Sequence, residues 1–209
     1  MSCGSSKEII EDFRTNMYID RMEQFSKETL SGGEIVFFGN SITEGGKWNE
    51  YFNSEKKIVN RGIAGDNTEG MLSRINLVAS DKPSKIFIMA GINDISLSRS
   101  NSKILTNYKA LIHEIKRVSP ETVIYIQSVL PINGSFGVYT RLNGKGNQIL
   151  SLNMSLKNLA KSEEVEFINL FPLFANESGE LYEKFTYDGI HINTGAYQLW
   201  ANIIRNKVE

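Results

Sequence analysis

Five short apolar runs recur along the chain, with helical patterns between them. Ile35-Val-Phe-Phe38, Lys57-Ile-Val-Asn60, Lys85-Ile-Phe-Ile-Met-Ala90, Val123-Ile-Tyr-Ile-Gln-Ser128 and Val165 to Asn169 are rich in β-branched and aromatic residues and have the length of strands. The third is almost continuously apolar, as a strand covered on both faces must be. Between the runs, apolar residues return at helical spacing: Met71, Leu72, Ile75, Val78 and Ala79; Ile104, Leu105, Tyr108, Leu111, Ile112 and Ile115; Ile149, Leu152, Leu156 and Leu159; Ala196, Leu199, Trp200 and Ile203. Ahead of the first strand, Ile10, Phe13, Met17, Met22 and Phe25 predict a helical arm within residues 1–30, which Ser31-Gly-Gly33 separates from a single domain over 31–209. Strand and helix alternate throughout. That alternation implies parallel strands joined by right-handed crossovers in a three-layer α/β/α sandwich.

The turns that close the strands carry the candidate chemistry. Ser41 follows the first strand, Gly65 the second and Asn93 the third, while Asp188 and His191 lie past the fifth, just before the last helix. In open α/β sheets the carboxyl ends of the strands border the ligand crevice. Taken singly, each residue has a bland role that its own stretch favours: Ser41 as the N-cap of the next helix, Gly65 as a residue of permissive dihedrals. Asp66 or Asn67 is expected to cap the helix that follows Gly65, which leaves a backbone N–H in the locally positive setting an oxyanion requires. Thr194 is expected to cap the last helix. Together the set is what acyl transfer through a serine needs: a nucleophile, a base, a carboxylate to hold the base, and donors for the oxyanion. Of the two histidines, His113 falls on the polar side of its helix, so His191 is the expected base.

Composition narrows the partners. At 209 residues, with 41% apolar and 22% charged residues, the chain can bury a two-sided sheet. A net charge of -1 and the lack of a basic stripe argue against nucleic acid and anionic membrane, and favour a small neutral or weakly charged substrate. No apolar run approaches the ~18 residues of a membrane span, and the start lacks the regions of a signal peptide, so a soluble chain is expected. The single cysteine, Cys3, excludes an internal disulfide and a cysteine-based zinc site. Its Ser-Cys-Gly-Ser-Ser leader reads either as an ordinary chain start, with a cytoplasmic protein behind it, or as what remains of an exported lipoprotein after removal of its signal peptide. Both readings stay open, as does the oligomeric state, and the pattern calls for no cofactor and no metal.

In order along the chain, Gly39-Asn-Ser41, Gly62-Ile-Ala-Gly65, Gly91-Ile-Asn93 and Asp188-Gly-Ile-His191 resemble the motifs of the SGNH family of GDSL-type esterases and lipases. The resemblance implies a flavodoxin-like sheet of order 2-1-3-4-5, Ser41 as nucleophile, His191 as base and Asp188 as its orienting partner. It also implies an oxyanion hole made by Ser41 N–H, Gly65 N–H and the Asn93 side chain. Asn40 stands where the family's eponymous motif has Asp, which bears on the charge beside Ser41 and not on the assignment. The G-x-S-x-G elbow of α/β-hydrolases is absent, because Thr43 follows Ser41 at the second position.

A receiver or flavin-binding domain on the same kind of sheet is the rival reading. It fits less well, since a set of nucleophile, base and oxyanion donors is surplus to it. The Gly62-to-Asp66 and Asn40-to-Thr43 stretches are most similar to the branch containing platelet-activating-factor acetylhydrolase-like proteins and bacterial sugar O-acetylesterases. Lysophospholipase, platelet-activating-factor acetylhydrolase and thioesterase activities are therefore the alternatives to a carbohydrate acetylesterase. The bordering loops, Glu44 to Trp48, Pro131 to Asn147 and Asn176 to Glu183, are dominated by Gly, Asn, Ser, Glu and Lys, interrupted by Trp48, Phe136, Tyr139 and Tyr182. Single aromatics among polar residues suit a sugar ring better than a lipid tail.

Overall fold

The computed structural model describes residues 16–28 and 30–209. The Cys3 leader and the Ile10 and Phe13 end of the arm lie outside the described residues. The described part of the arm is helix α1 (Asn16–Lys27), and its buried side chains are Tyr18 and Phe25. Met17, expected inward, is 56% exposed. The reason is the register of the contact: the Tyr18 hydroxyl reaches the Gly70 carbonyl and the Ser73 hydroxyl, and Tyr18 and Phe25 close over Ile63.

From there the chain alternates as expected. β1 (Ile35–Gly39) leads into the short helices α2 (Ser41–Glu44) and α3 (Trp48–Tyr51), and β2 (Ile58–Gly62) into α4 (Thr68–Ala79). β3 (Lys85–Met89) is followed by α5 (Ile92–Ser96) and α6 (Asn101–Val118), and β4 (Val123–Gln127) by a long connection and α7 (Gly146–Ser162). β5 (Glu166–Ile168), α8 (Phe171–Phe174) and α9 (Thr194–Val208) complete the described fold. The five strands of the sheet pair in parallel, in the order β2-β1-β3-β4-β5. This is the flavodoxin-like order that the motifs imply, and it brings the carboxyl ends of β1, β2 and β3 side by side.

The sheet is covered on both faces. Phe37, Phe87 and Tyr125 are in register across β1, β3 and β4, and their rings stack with centroids 5.0 and 4.5 Å apart. Trp48 lies flat on Phe37 at 4.0 Å and meets Trp200 of α9 edge-on at 4.8 Å. Trp48 is thus 2% exposed, part of the core and not a ring offered to a ligand. Its indole N–H donates to the Thr43 carbonyl, so the polar end of the ring is satisfied inside. On the other face α4 packs on α6 and α6 on α7. Of the predicted helical stripes, Met71, Ile75, Val78, Ile104, Tyr108, Leu111, Ile112, Ile115, Ile149, Leu152 and Leu156 are buried. Leu199 and Ile203 are only half-buried, because α9 turns Tyr197 and Ile204 inward beside Trp200. The cap of that helix is Asn193, whose side chain accepts from the Ala196 amide, and not Thr194.

Candidate active site

Ser41 begins α2, and the residue that caps this helix is Asn40: its Oδ1 accepts the Ile42 amide at 3.1 Å. The Ser41 hydroxyl is thereby free of the capping role. It meets His191 Nε2 at 2.9 Å, while His191 Nδ1 lies 2.6 Å from Asp188 Oδ2. An Nδ1–H donated to the carboxylate leaves the Nε2 lone pair facing the serine. Residues 150 positions apart are joined in this way by the strand order.

The turn carrying Asp188 and His191 is held locally. Asp188 Oδ1 accepts the amides of Ile190 and His191, and Thr186 Oγ1 accepts the amides of Asp188 and Gly189. Gly189 has φ +91°, and a Cβ there would stand 2.2 Å from the Asn133 carbonyl oxygen, so the turn admits glycine alone. Burial pushes the Asp188 carboxyl up, but the His191 hydrogen bond and the two amides outweigh it and hold it below the ordinary carboxylate value. Asp188 is therefore charged and able to orient the imidazole at neutral pH.

The expected oxyanion donors gather at the same edge. Gly65 is exposed, with φ +78°, in the turn ahead of α4, which Asn67 caps by accepting the amides of Glu69 and Gly70. Asn93 lies in the first turn of α5 and spends one amide hydrogen on the Asp66 carbonyl at 2.8 Å, which leaves the other to point elsewhere. Glu44 of α2 accepts the Ala64 amide at 2.6 Å and pairs with Arg21 of α1 at 3.0 Å, so the arm braces the Gly65 turn.

Behind these groups lies a polar cluster that sequence reasoning missed. Arg74 is buried in α4 and donates to Asp66 Oδ2, to the Arg61 carbonyl and to the Gly39 carbonyl at 2.9, 2.9 and 3.0 Å. Its guanidinium lies 4.4 Å from the centre of the Phe38 ring. Burial pushes the Asp66 carboxyl up to about 6, with Arg74 pulling the other way. Beside it, buried Asp94 accepts the Thr68 amide and hydroxyl, and burial raises its carboxyl as well. The signal was present: Arg74 falls between Met71, Ile75 and Val78, a charge inside an apolar stripe.

His113 is exposed, as expected, and pairs with Glu163 at 2.8 Å. The connection between β4 and α7 forms 3-10 turns at Gly134–Phe136 and Thr140–Leu142, and it places Tyr139 beside His191, with ring centroids 5.7 Å apart. Phe136, Tyr139 and Tyr182 are partly exposed. Among the described residues there is no group of three His, Cys, Asp or Glu side chains that could hold a metal, and no helix long and apolar enough to cross a membrane.

The chain is similar to known proteins in sequence and in fold. A curated relative, the N-acylneuraminate cytidylyltransferase of Escherichia coli O18:K1:H7 (strain RS218 / NMEC), is 26% identical over 193 residues, 91% of this chain and 44% of its own length. The chain thus spans less than half of that relative. A Streptococcus pneumonia protein named for platelet activating factor is 26% identical with a TM-score of 0.79, over 92% of this chain and 91% of the other. A GDSL-like lipase from Bacteroides thetaiotaomicron VPI-5482 shares the fold at 23% identity and a TM-score of 0.80, over 94% and 98%. An acetyl-xylooligosaccharide esterase from Geobacillus Stearmophilus does so at 19% and 0.67, over 86% and 95%. The model of the GDSL-like lipase/acylhydrolase family matches residues 37–199, most of the chain, and to that family this chain belongs.

Proposed function

We propose that the chain is a serine esterase that removes short acyl groups, acetyl foremost, from carbohydrate hydroxyls. The observation that carries the reading is the hydrogen-bonded series from Ser41 Oγ through His191 to Asp188, at 2.9 and 2.6 Å. In the first step Ser41 Oγ attacks the ester carbonyl carbon as its proton passes to His191 Nε2. Asp188 stabilises the imidazolium, and the amides of Ser41 and Gly65 with the Asn93 side chain receive the charge that develops on the carbonyl oxygen. Collapse of the tetrahedral adduct breaks the bond to the alcohol oxygen, which takes the proton from His191. Water then repeats the attack on the acyl-serine, with His191 again the base, and the carboxylic acid departs.

Support for a sugar alcohol comes from the surroundings. The bordering loops are rich in polar residues, and Phe136, Tyr139 and Tyr182 offer partly exposed rings among them, beside exposed Val138 and Tyr187. A curated relative and one structural neighbour also carry sugars in their names, N-acylneuraminate and acetyl-xylooligosaccharide. The test is a series of p-nitrophenyl esters from acetate to octanoate beside acetylated sugars, run on the wild type and on Ser41→Ala. A steep fall with chain length, acetate release from the sugars and an inactive Ser41→Ala are expected. Rates that hold or rise toward octanoate would replace the sugar reading with a lipid one, and an active Ser41→Ala would remove the serine mechanism.

A further inference from the structure

The hydroxyl of Tyr139 lies 3.2 Å from Asp188 Oδ2 and 3.3 Å from His191 Nδ1. Asp188 Oδ2 is the oxygen that faces the imidazole, so one carboxylate oxygen serves two partners. We propose that Tyr139 is a positioning residue of this site, a second donor to Asp188 that fixes the carboxylate against the imidazole and moderates its pull on the imidazole proton. The inference rests on the esterase reading above and goes beyond it by adding a member to the proposed set.

The direction of the bond follows from the groups. Burial and the neighbouring Asp188 charge both push the Tyr139 phenol up, so it keeps its proton and donates. The ring is held as well as the hydroxyl, edge-on to the imidazole at 68°. The connection that carries Tyr139 is fastened to the same turn at its other end, where the Asn133 amide donates to the Gly189 carbonyl at 2.8 Å. Gly137 and Gly144, at φ +68° and +72°, bend the chain on either side of Tyr139. Among the described residues, the other groups bonded to the pair are Ser41, the Ile190 and His191 amides on Asp188 Oδ1, and the Thr186 hydroxyl and Tyr187 amide, which both donate to the His191 carbonyl. Among the described residues, Tyr139 is the one that adds a second side-chain donor to the carboxylate oxygen that holds the base.

A second donor spreads the charge of that oxygen, which weakens its stabilisation of an imidazolium. Removing the phenol hydroxyl should therefore let the base protonate at higher pH, and should leave the carboxylate freer to rotate. The experiment compares Tyr139→Phe, Tyr139→Ala, Ser41→Ala and the wild type on p-nitrophenyl acetate. For Tyr139→Phe the expected result is a kcat lowered about three- to tenfold with KM little changed, the scale of one lost hydrogen bond. The acid limb of kcat/KM should also move to higher pH, and the imidazole proton resonance should titrate with it. If Ser41→Ala is inactive and Tyr139→Phe superimposes on the wild type in kcat and in pH profile, the inference on Tyr139 is overturned and the esterase reading stands. The same holds if only Tyr139→Ala differs, since the ring and not the hydroxyl would then be at work. An active Ser41→Ala would overturn both.

Discussion

Arg74 donates to the carbonyl oxygen of Gly39 at 3.0 Å, so a helix on one face of the sheet grips the last residue of β1, two positions before Ser41. The same guanidinium holds Asp66, whose own carbonyl orients Asn93. One buried ion pair therefore ties together the three turns that supply Ser41, Gly65 and Asn93. The arrangement is costly to break from one side, because Arg74 and Asp66 side chains are 1% and 0% exposed and neither could be rehydrated.

Replacing Arg74 by Met leaves Asp66 buried without its cation. A loss of about 3–5 kcal/mol in urea unfolding is expected, and the double variant Arg74→Met with Asp66→Leu should recover much of it. Equal losses in the single and double variants would mean that the pair is not coupled.

Asn93 should matter only when charge develops on the substrate. Its amide is oriented by the Asp66 carbonyl, so Asn93→Ala is expected to lower kcat by roughly 10²- to 10³-fold with little change in KM. Steady-state kinetics decide this: a change confined to KM would make Asn93 a ground-state contact.

Activity should fall in acid, because His191 must be neutral to take the serine proton and because Asp66, whose carboxyl burial pushes up to about 6, gives up its charge beside Arg74 as the pH falls. Asp188 does not add a further step near neutrality, since its carboxyl is held below the ordinary value of 3.8. Its contribution to stability is present above that unfolded value and is lost as pH falls through the lower folded one. His113→Ala, on an exposed helical face and paired to Glu163, should leave the profile of kcat/KM against pH unchanged.

Trp48→Ala tests a residue that only the fold explains. The ring is stacked between Phe37 and the edge of Trp200, and its removal should cost about 3–5 kcal/mol in thermal or urea unfolding. An unchanged stability with a raised KM for sugar esters would instead return Trp48 to the substrate.

Much of this protein was legible in the amino-acid order. Strand and helix periods marked the sheet and its covering helices, since each depends on side chains a few positions apart. The four short motifs marked the turns at one edge, and with two histidines in the chain the choice of base followed from a single helical face. Local pattern could not say which neighbour takes a cap: Asn40 rather than Ser41, and Asn193 rather than Thr194, accept the helix amides, because the choice depends on how the chain enters each turn. Nor could it separate a loop aromatic that turns into the core from one that stays at the rim. Trp48 went inward because Phe37 and Trp200 leave a slot between β1 and α9, whereas Tyr139 stayed beside His191. Arg74 sat visibly in an apolar stripe, but its partners, Gly39, Arg61 and Asp66, come from three other parts of the chain. Parallel crossovers bring such residues together, and the distances between them exist only once the strands have taken their order.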